Sequence, residues 1–321
     1  MTHPYEAPTV DPMRWRTGRR SENVEDVRGE GPPLGGGFPG GGFQLPGGGF
    51  PGGGRVRRGG IGGIGLILLV LGALYFGIDP TMLLQGVDGG GPVPGQVPGG
   101  EPHPIPADDE AAQFVAVVLG DTEDTWRDQF QKMGRTYRDP KLVLFSGAVE
   151  SACGFAKAAV GPFYCPRDEK VYIDLAFFDE LRSRFGAPGD FAEAYVIAHE
   201  VGHHVQNQLG ISDRVQQQRA RLDEADGNAL SVMLELQADC LAGAWAHNAQ
   251  EARQILEQGD VEEGLAAATA VGDDRLQRQA GRYITPESFT HGTSEQRAGW
   301  FRRGLKSGNL SDCDTSSGAR P

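Results

Sequence analysis

His199-Glu200-Val201-Gly202-His203 is an H-E-x-x-H stretch inside a helical pattern. Ala194, Ala198, Val201 and Val205 recur at i, i+4, i+7 and i+11, the spacing of one apolar helix face. Tyr195, His199, Gly202, His203 and Gln206 line the next face round. The two histidines are one turn apart, so both imidazoles aim at one spot, as zinc ligands must. Glu200 is turned about 100° from His199, where its carboxylate can act as a base without ligating the metal. Gly202 leaves room for another chain segment to approach. His204 faces away, so a structural role is expected for it.

A catalytic zinc needs a third protein ligand and an open position. Six residues past His203 lies Leu209, so the third histidine of the metzincin pattern is missing. Glu235-Leu-Gln-Ala-Asp239 falls in a second apolar helix carrying Leu230, Leu234, Ala238, Leu241 and Trp245. Glu235 and Asp239 are one turn apart on its polar side. Glu235 is expected as the third ligand. Asp239 is expected to accept the other N–H of a ligand histidine, which fixes the tautomer. Asp239 itself and His247 are the competing third ligands.

Three segments, His199–Gln206, Glu235–Trp245 and Phe289–Arg297, together with Gly161–Pro166, resemble the bacterial putative neutral zinc metallopeptidase family. The resemblance spans about residues 110–315. A more distant likeness is to membrane gluzincins of the prenyl-protein endopeptidase kind: Thr290-His291 and Arg297 keep their spacing, but Gly292 stands where those enzymes have Pro. The resemblance implies a zincin-like metallopeptidase domain with one catalytic Zn2+ held by His199, His203 and Glu235, and a peptide or protein substrate. It also implies Glu200 as general base and His291 as oxyanion donor, with Tyr283 in reserve. Arg297 then either positions His291 or pairs with Asp239 or Glu235.

Outside this region the composition changes. The chain has 321 residues with 49 Gly and 21 Pro. Of these, 28 glycines lie in residues 29–100 and 15 prolines in residues 1–106. The folded part, 107–315, is left with near-ordinary usage. Residues 1–58, with Gly-Gly-Gly-Phe-Pro near-repeats, are expected as a disordered tail. Residues 59–78 carry no charge and are long enough to span a bilayer. Arg55, Arg57 and Arg58 precede this stretch, so the tail is expected in the cytoplasm and the domain outside a bacterial cell membrane. Residues 79–106 read as a Gly/Pro-rich linker. The chain is −13 overall, and the acidic domain has no basic footprint for nucleic acid. Oligomeric state stays open.

All four cysteines lie in the domain, which suits disulfides in an oxidising compartment. Three pairings are possible. Cys153–Cys165 would close a short loop, and Cys240–Cys313 would pin the C-terminal tail to a helix. The fold is expected to be α+β and mainly helical, with a small antiparallel sheet. Helices are predicted at 108–119, 122–133 (capped by Asp121), 175–185, 190–209, 213–224, 227–248, 249–257, 260–272 and 294–306. Strands are predicted at 141–145 and 170–173. Two functional alternatives share these residues: a non-catalytic envelope protein-binding module, and a zinc amidase acting on a non-protein amide. The intact Glu200 favours a hydrolase, because a binding module has no need of a general base.

Overall fold

The computed structural model describes residues 13–29 and 102–316. The fold is α+β and mainly helical. Its helices are α1 (Glu110–Lys132), α2 (Ala176–Ser183), α3 (Asp190–Gln208), α4 (Ile211–Arg219), α5 (Glu224–Arg253), α6 (Asp260–Ala270), α7 (Asp273–Gln279) and α8 (Ser294–Ser307). Its strands are β1 (Val24–Asp26), β2 (Lys141–Phe145), β3 (Ala148–Ser151), β4 (Gly154–Lys157), β5 (Phe163–Cys165) and β6 (Lys170–Asp174).

The larger sheet is mixed, where an antiparallel one was expected. Its order is β1-β2-β6-β5. β1 and β6 run parallel to β2, and only β5 is antiparallel to its neighbour β6. β3 and β4 form a separate antiparallel hairpin. Alternation along β2 sends Leu142 and Leu144 into the main core. Val143 and Phe145 point to the other face, where they meet Cys165 and Tyr172.

α3 packs against α1, α5 and α6, and α8 lies along α5. Trp126, Trp245, Trp300, Tyr195, Phe191 and Phe301 are fully buried between these helices. Gly304 of α8 sits against the backbone of Cys240 and Ala244, where a Cβ would collide with both. Caps fix the helix starts: Asp109 accepts the Ala112 N–H at 3.0 Å, Asp223 accepts that of Asp226 at 3.0 Å, and Thr293 with Gln296 closes a capping box on α8. The disulfides are Cys153–Cys165 and Cys240–Cys313. The first joins the β3–β4 turn to β5, and the second ties the C-terminal turn to α5.

The N-terminal boundary needs correction. Residues 13–29 belong to the fold and not to a tail. Met13 and Trp15 are buried in the main core, and β1 supplies a strand to the sheet. Glu123 of α1, completely buried, accepts bonds from Arg19 Nη2 (2.7 Å) and Asn23 Nδ2 (2.8 Å) and from the Ser21 hydroxyl. Ahead of α1, His103 N–H donates to Asp26 O at 2.9 Å. Removing residues 1–29 leaves the Glu123 charge buried with its main partners gone. The truncated chain is expected to lose about 3–5 kcal/mol of stability. Urea unfolding of both forms checks this; equal midpoints would show the arm to be dispensable.

The membrane expectation changes with it. The stretch 59–78 lies outside the described residues. Among those described, no helix is long and apolar enough to cross a membrane, so the described fold has no transmembrane helix. β1 and β2 are hydrogen-bonded neighbours. Residues 24–26 and 141–145 therefore sit on one side of any bilayer. This overturns the single crossing between a cytoplasmic residue 1–58 tail and an outer domain.

Candidate metal centre

The metal centre is built where α3 crosses α5. Gly202 makes the crossing close: a Cβ there would lie 3.0 Å from Ala238 O and 3.2 Å from Ala238 Cα. Ala238 sits between Glu235 and Asp239 on α5, so this contact delivers both carboxylates to the histidine face. Glu235 Oε2 is 3.2 Å from His199 Nε2, and its Oε1 is 3.4 Å from His203 Nε2. One ligand atom from each of the three residues lies within 4.8 Å of the other two.

Each imidazole is held from behind. His199 Nδ1 faces Asp239 Oδ1 at 2.9 Å, so that nitrogen carries the proton and Nε2 is turned to the centre. His203 Nδ1 faces Gln206 Oε1 at 2.9 Å. Gln206 is itself fixed, because its Nε2 donates to Leu234 O at 2.7 Å. Asp239, with no exposed surface, takes two bonds from Arg297, Nε to Oδ2 and Nη2 to Oδ1, both 2.9 Å. It also accepts the Tyr195 hydroxyl. Of the two partners left open for Arg297, Asp239 is the one it grips; Glu235 Oε2 is 4.0 Å away.

The electrostatics follow from this packing. Burial alone would lower the His199 pKa, but Asp239 and then Glu235 outweigh it and hold it up at about 10. Burial opposes the Glu235 carboxylate, yet the two imidazoles hold it well below the usual range. Asp239 is likewise kept ionised against burial, by Arg297 and then His199. Two imidazole Nε2 atoms and one carboxylate converge on a point; a metal binding there would displace the Nε2 protons, and the resulting donor set fits zinc.

Glu200 is buried on α3. No hydrogen bond or ion pair holds its carboxylate among the described residues. Burial opposes the charged form of His203, but Glu235 outweighs it and holds the His203 pKa up, with a smaller contribution from Glu200 one turn back on α3.

His291 is not brought into contact with the three donors. It is half-exposed, with Nδ1 3.0 Å from Thr290 Oγ1 and 3.2 Å from Asp273 Oδ1. Its loop is anchored because the Asp273 carboxylate accepts the N–H groups of Thr290, His291 and Gly292 at 2.6–3.1 Å. Gly292 packs on Val232 and Leu236 of α5, next to Glu235. Tyr283 is 95% exposed and reaches nothing in the site. His204 is structural: Tyr164 Oη and Arg138 O hold its two nitrogens at 2.9 and 2.7 Å. His247 bonds Leu305 O and Glu251 instead of the metal centre. A cavity of about 450 Å³ lined by Ile211, Val215, Met233, Leu234 and Leu310 opens between α4, α5 and the C-terminal turn, and none of the three donors lines it.

Sequence reasoning missed Gln206 and Tyr195 as supports and Asp273 as the loop anchor. Gln206 stands at i+3 from His203 and Tyr195 at i−4 from His199, so helical spacing already held that signal.

The model of one known family matches residues 13–316, the arm included. The chain belongs to the putative neutral zinc metallopeptidase family. The uncharacterized protein YpfJ of Escherichia coli (strain K12) is 49% identical to it over 305 residues, 94% of this chain and 98% of YpfJ. The uncharacterized protein Rv2575 of Mycobacterium tuberculosis is 41% identical over 256 residues, 74% of this chain and 85% of Rv2575. No solved structure matches the chain. The family description supports a peptidase-like function and implies zinc.

Proposed function

We propose that the protein is a zinc-dependent endopeptidase in which His199, His203 and Glu235 would hold the ion and Glu200 is the general base. One observation carries this reading: three donor atoms within 4.8 Å of one another, beside a buried carboxylate with no protein partner. When bound, zinc supplies Lewis acidity, polarising a carbonyl and making water acidic near neutral pH. Glu200 accepts the proton that water gives up as it attacks the peptide carbonyl. The same carboxylic acid then delivers that proton to the amine nitrogen as the C–N bond breaks. Asp239 keeps His199 in one tautomer, and Arg297 with Tyr195 keeps Asp239 ionised and oriented. His291 is the donor proposed for the developing oxyanion, on a loop that Asp273 anchors beside α5.

The reading is tested with the full chain on a broad peptide library. Cleavage should stop when 1,10-phenanthroline removes the metal and return on adding zinc. Cleavage that survives complete metal removal would contradict it. His291→Ala is expected to lower kcat by about 10²–10³-fold, the usual loss of one oxyanion donor, with zinc content unchanged. An unchanged kcat would remove His291 from the mechanism.

A further inference from the structure

A second carboxylate cluster lies away from the zinc centre, where α3 and α6 begin. Each helix opens on the same pattern, Asp190-x-x-Glu193 and Asp260-x-x-Glu263. One ligand oxygen each from Asp190, Asp260 and Glu263 lies within 4.8 Å of the other two. The three are held alike. Asp190 Oδ1 accepts the Met13 N–H at 3.2 Å, Asp260 Oδ2 that of Glu257 at 2.7 Å, and Glu263 Oε2 that of Phe191 at 3.1 Å.

In each case the second oxygen is left over. Asp190 Oδ2 and Asp260 Oδ1 are buried with no hydrogen-bond partner, and Asp260 has no exposed surface at all. No bond reaches Glu263 Oε1 among the described residues. Glu193 is occupied by Arg182 at 2.5 Å, whereas none of the other three has an ion-pair partner among the described residues. A buried carboxylate oxygen facing other carboxylates needs either a proton or a cation.

We propose that Asp190, Asp260 and Glu263 bind a calcium ion. The donor set is all oxygen, which selects hard cations over zinc. Ca–O bonds of about 2.3–2.6 Å allow ligand oxygens up to about 5 Å apart, so three oxygens within 4.8 Å of one another can share one ion. The ion ties the start of the zinc helix to α6 and, through Asp190, to Met13 of the N-terminal arm.

Without the ion, protons fill the same role. Burial first, then the charges of neighbouring acids, raises Asp260 to about 6 and Glu263 to about 7. Glu193, Glu257 and Glu262 add negative charge around them; Arg182 pairs with Glu193 and Arg14 with Glu257, and Arg16 is the further cation nearby. The folded chain then holds protons that unfolded carboxyls have already released. Calcium-free stability should therefore fall as pH rises through about 4 to 7, and calcium should cancel that fall.

The test is equilibrium dialysis of calcium against the full zinc-loaded chain at pH 8. One calcium per chain, beside one zinc, is expected. Melting should rise by about 5–10 °C at a hundredfold excess over Kd. Asp260→Asn and Glu263→Gln should abolish calcium binding while zinc content and near-UV circular dichroism stay as in the wild type. No calcium bound to the wild-type chain at millimolar concentration would overturn the proposal, leaving a cluster filled by protons. So would undiminished binding in a folded Glu263→Gln variant.

Discussion

Glu200→Gln is expected to leave one zinc bound and to lower kcat on a cleaved peptide by about 10²–10⁴-fold, the usual worth of a positioned general base. Glutamine has the same shape and bonds to nothing the glutamate bonded to, since the carboxylate has no protein partner among the described residues. The substitution therefore removes proton transfer without removing a structural contact. Stability should change little, because a buried charge is exchanged for a neutral amide of the same shape. KM is expected to hold, because the carboxylate acts on the water and not on substrate binding. Cleavage at the wild-type rate would mean that another group takes the proton.

The second large effect is structural. Asp239→Asn is expected to destabilise the chain by about 3–5 kcal/mol and to weaken zinc binding about 10–100-fold. Asp239 sits under Tyr195, His199 and Arg297 with no exposed surface. An amide keeps the shape but leaves the Arg297 guanidinium, only 4% exposed, without its counter-charge. It also offers His199 a neutral acceptor or a wrongly placed donor. Tyr195→Phe serves as the graded comparison: it deletes one hydrogen bond and should cost about 1 kcal/mol. Chemical unfolding gives the first quantity and competition with a chelator of known affinity gives the second. An Asn variant as stable as the wild type would show that the Asp239–Arg297 pair does not hold α5 to α8.

The metal centre was readable because it rests on short-range periodicity. His199 and His203 share a face through helical spacing alone, and Glu235 and Asp239 do so on α5. Gly202 marks the crossing that brings the two pairs together. Arg297 was harder to place, since its partner is 58 residues away and nothing local chooses between Asp239 and Glu235.

Non-local pairing hid most of the rest. β1 is three residues long, and its partner β2 begins more than a hundred positions later. Next to the glycine-rich repeats, the arm reads as more of the same tail. Gly120 and Asp121 look like a break between two helices, yet α1 runs through them. Gly120 is small because Arg19 backbone lies against it. Asp121 is not a cap: it accepts the Trp245 indole N–H at 2.7 Å and pairs with Arg253. No strand is predicted between 145 and 170, yet that segment contains β3, β4 and β5, whose short strands are joined by the Cys153–Cys165 bridge. The acids at 190, 260 and 263 read as ordinary first-turn residues on two separate helices. Only the packing of α3 on α6 shows that they face one another.

The most direct test is the zinc content of the purified full chain and of its Glu235→Gln variant after dialysis against a weak chelator. One zinc per wild-type chain and almost none in a folded variant is the expected result. A wild-type chain without zinc, or a variant that keeps its zinc undiminished, would contradict the assignment of His199, His203 and Glu235 as the metal centre.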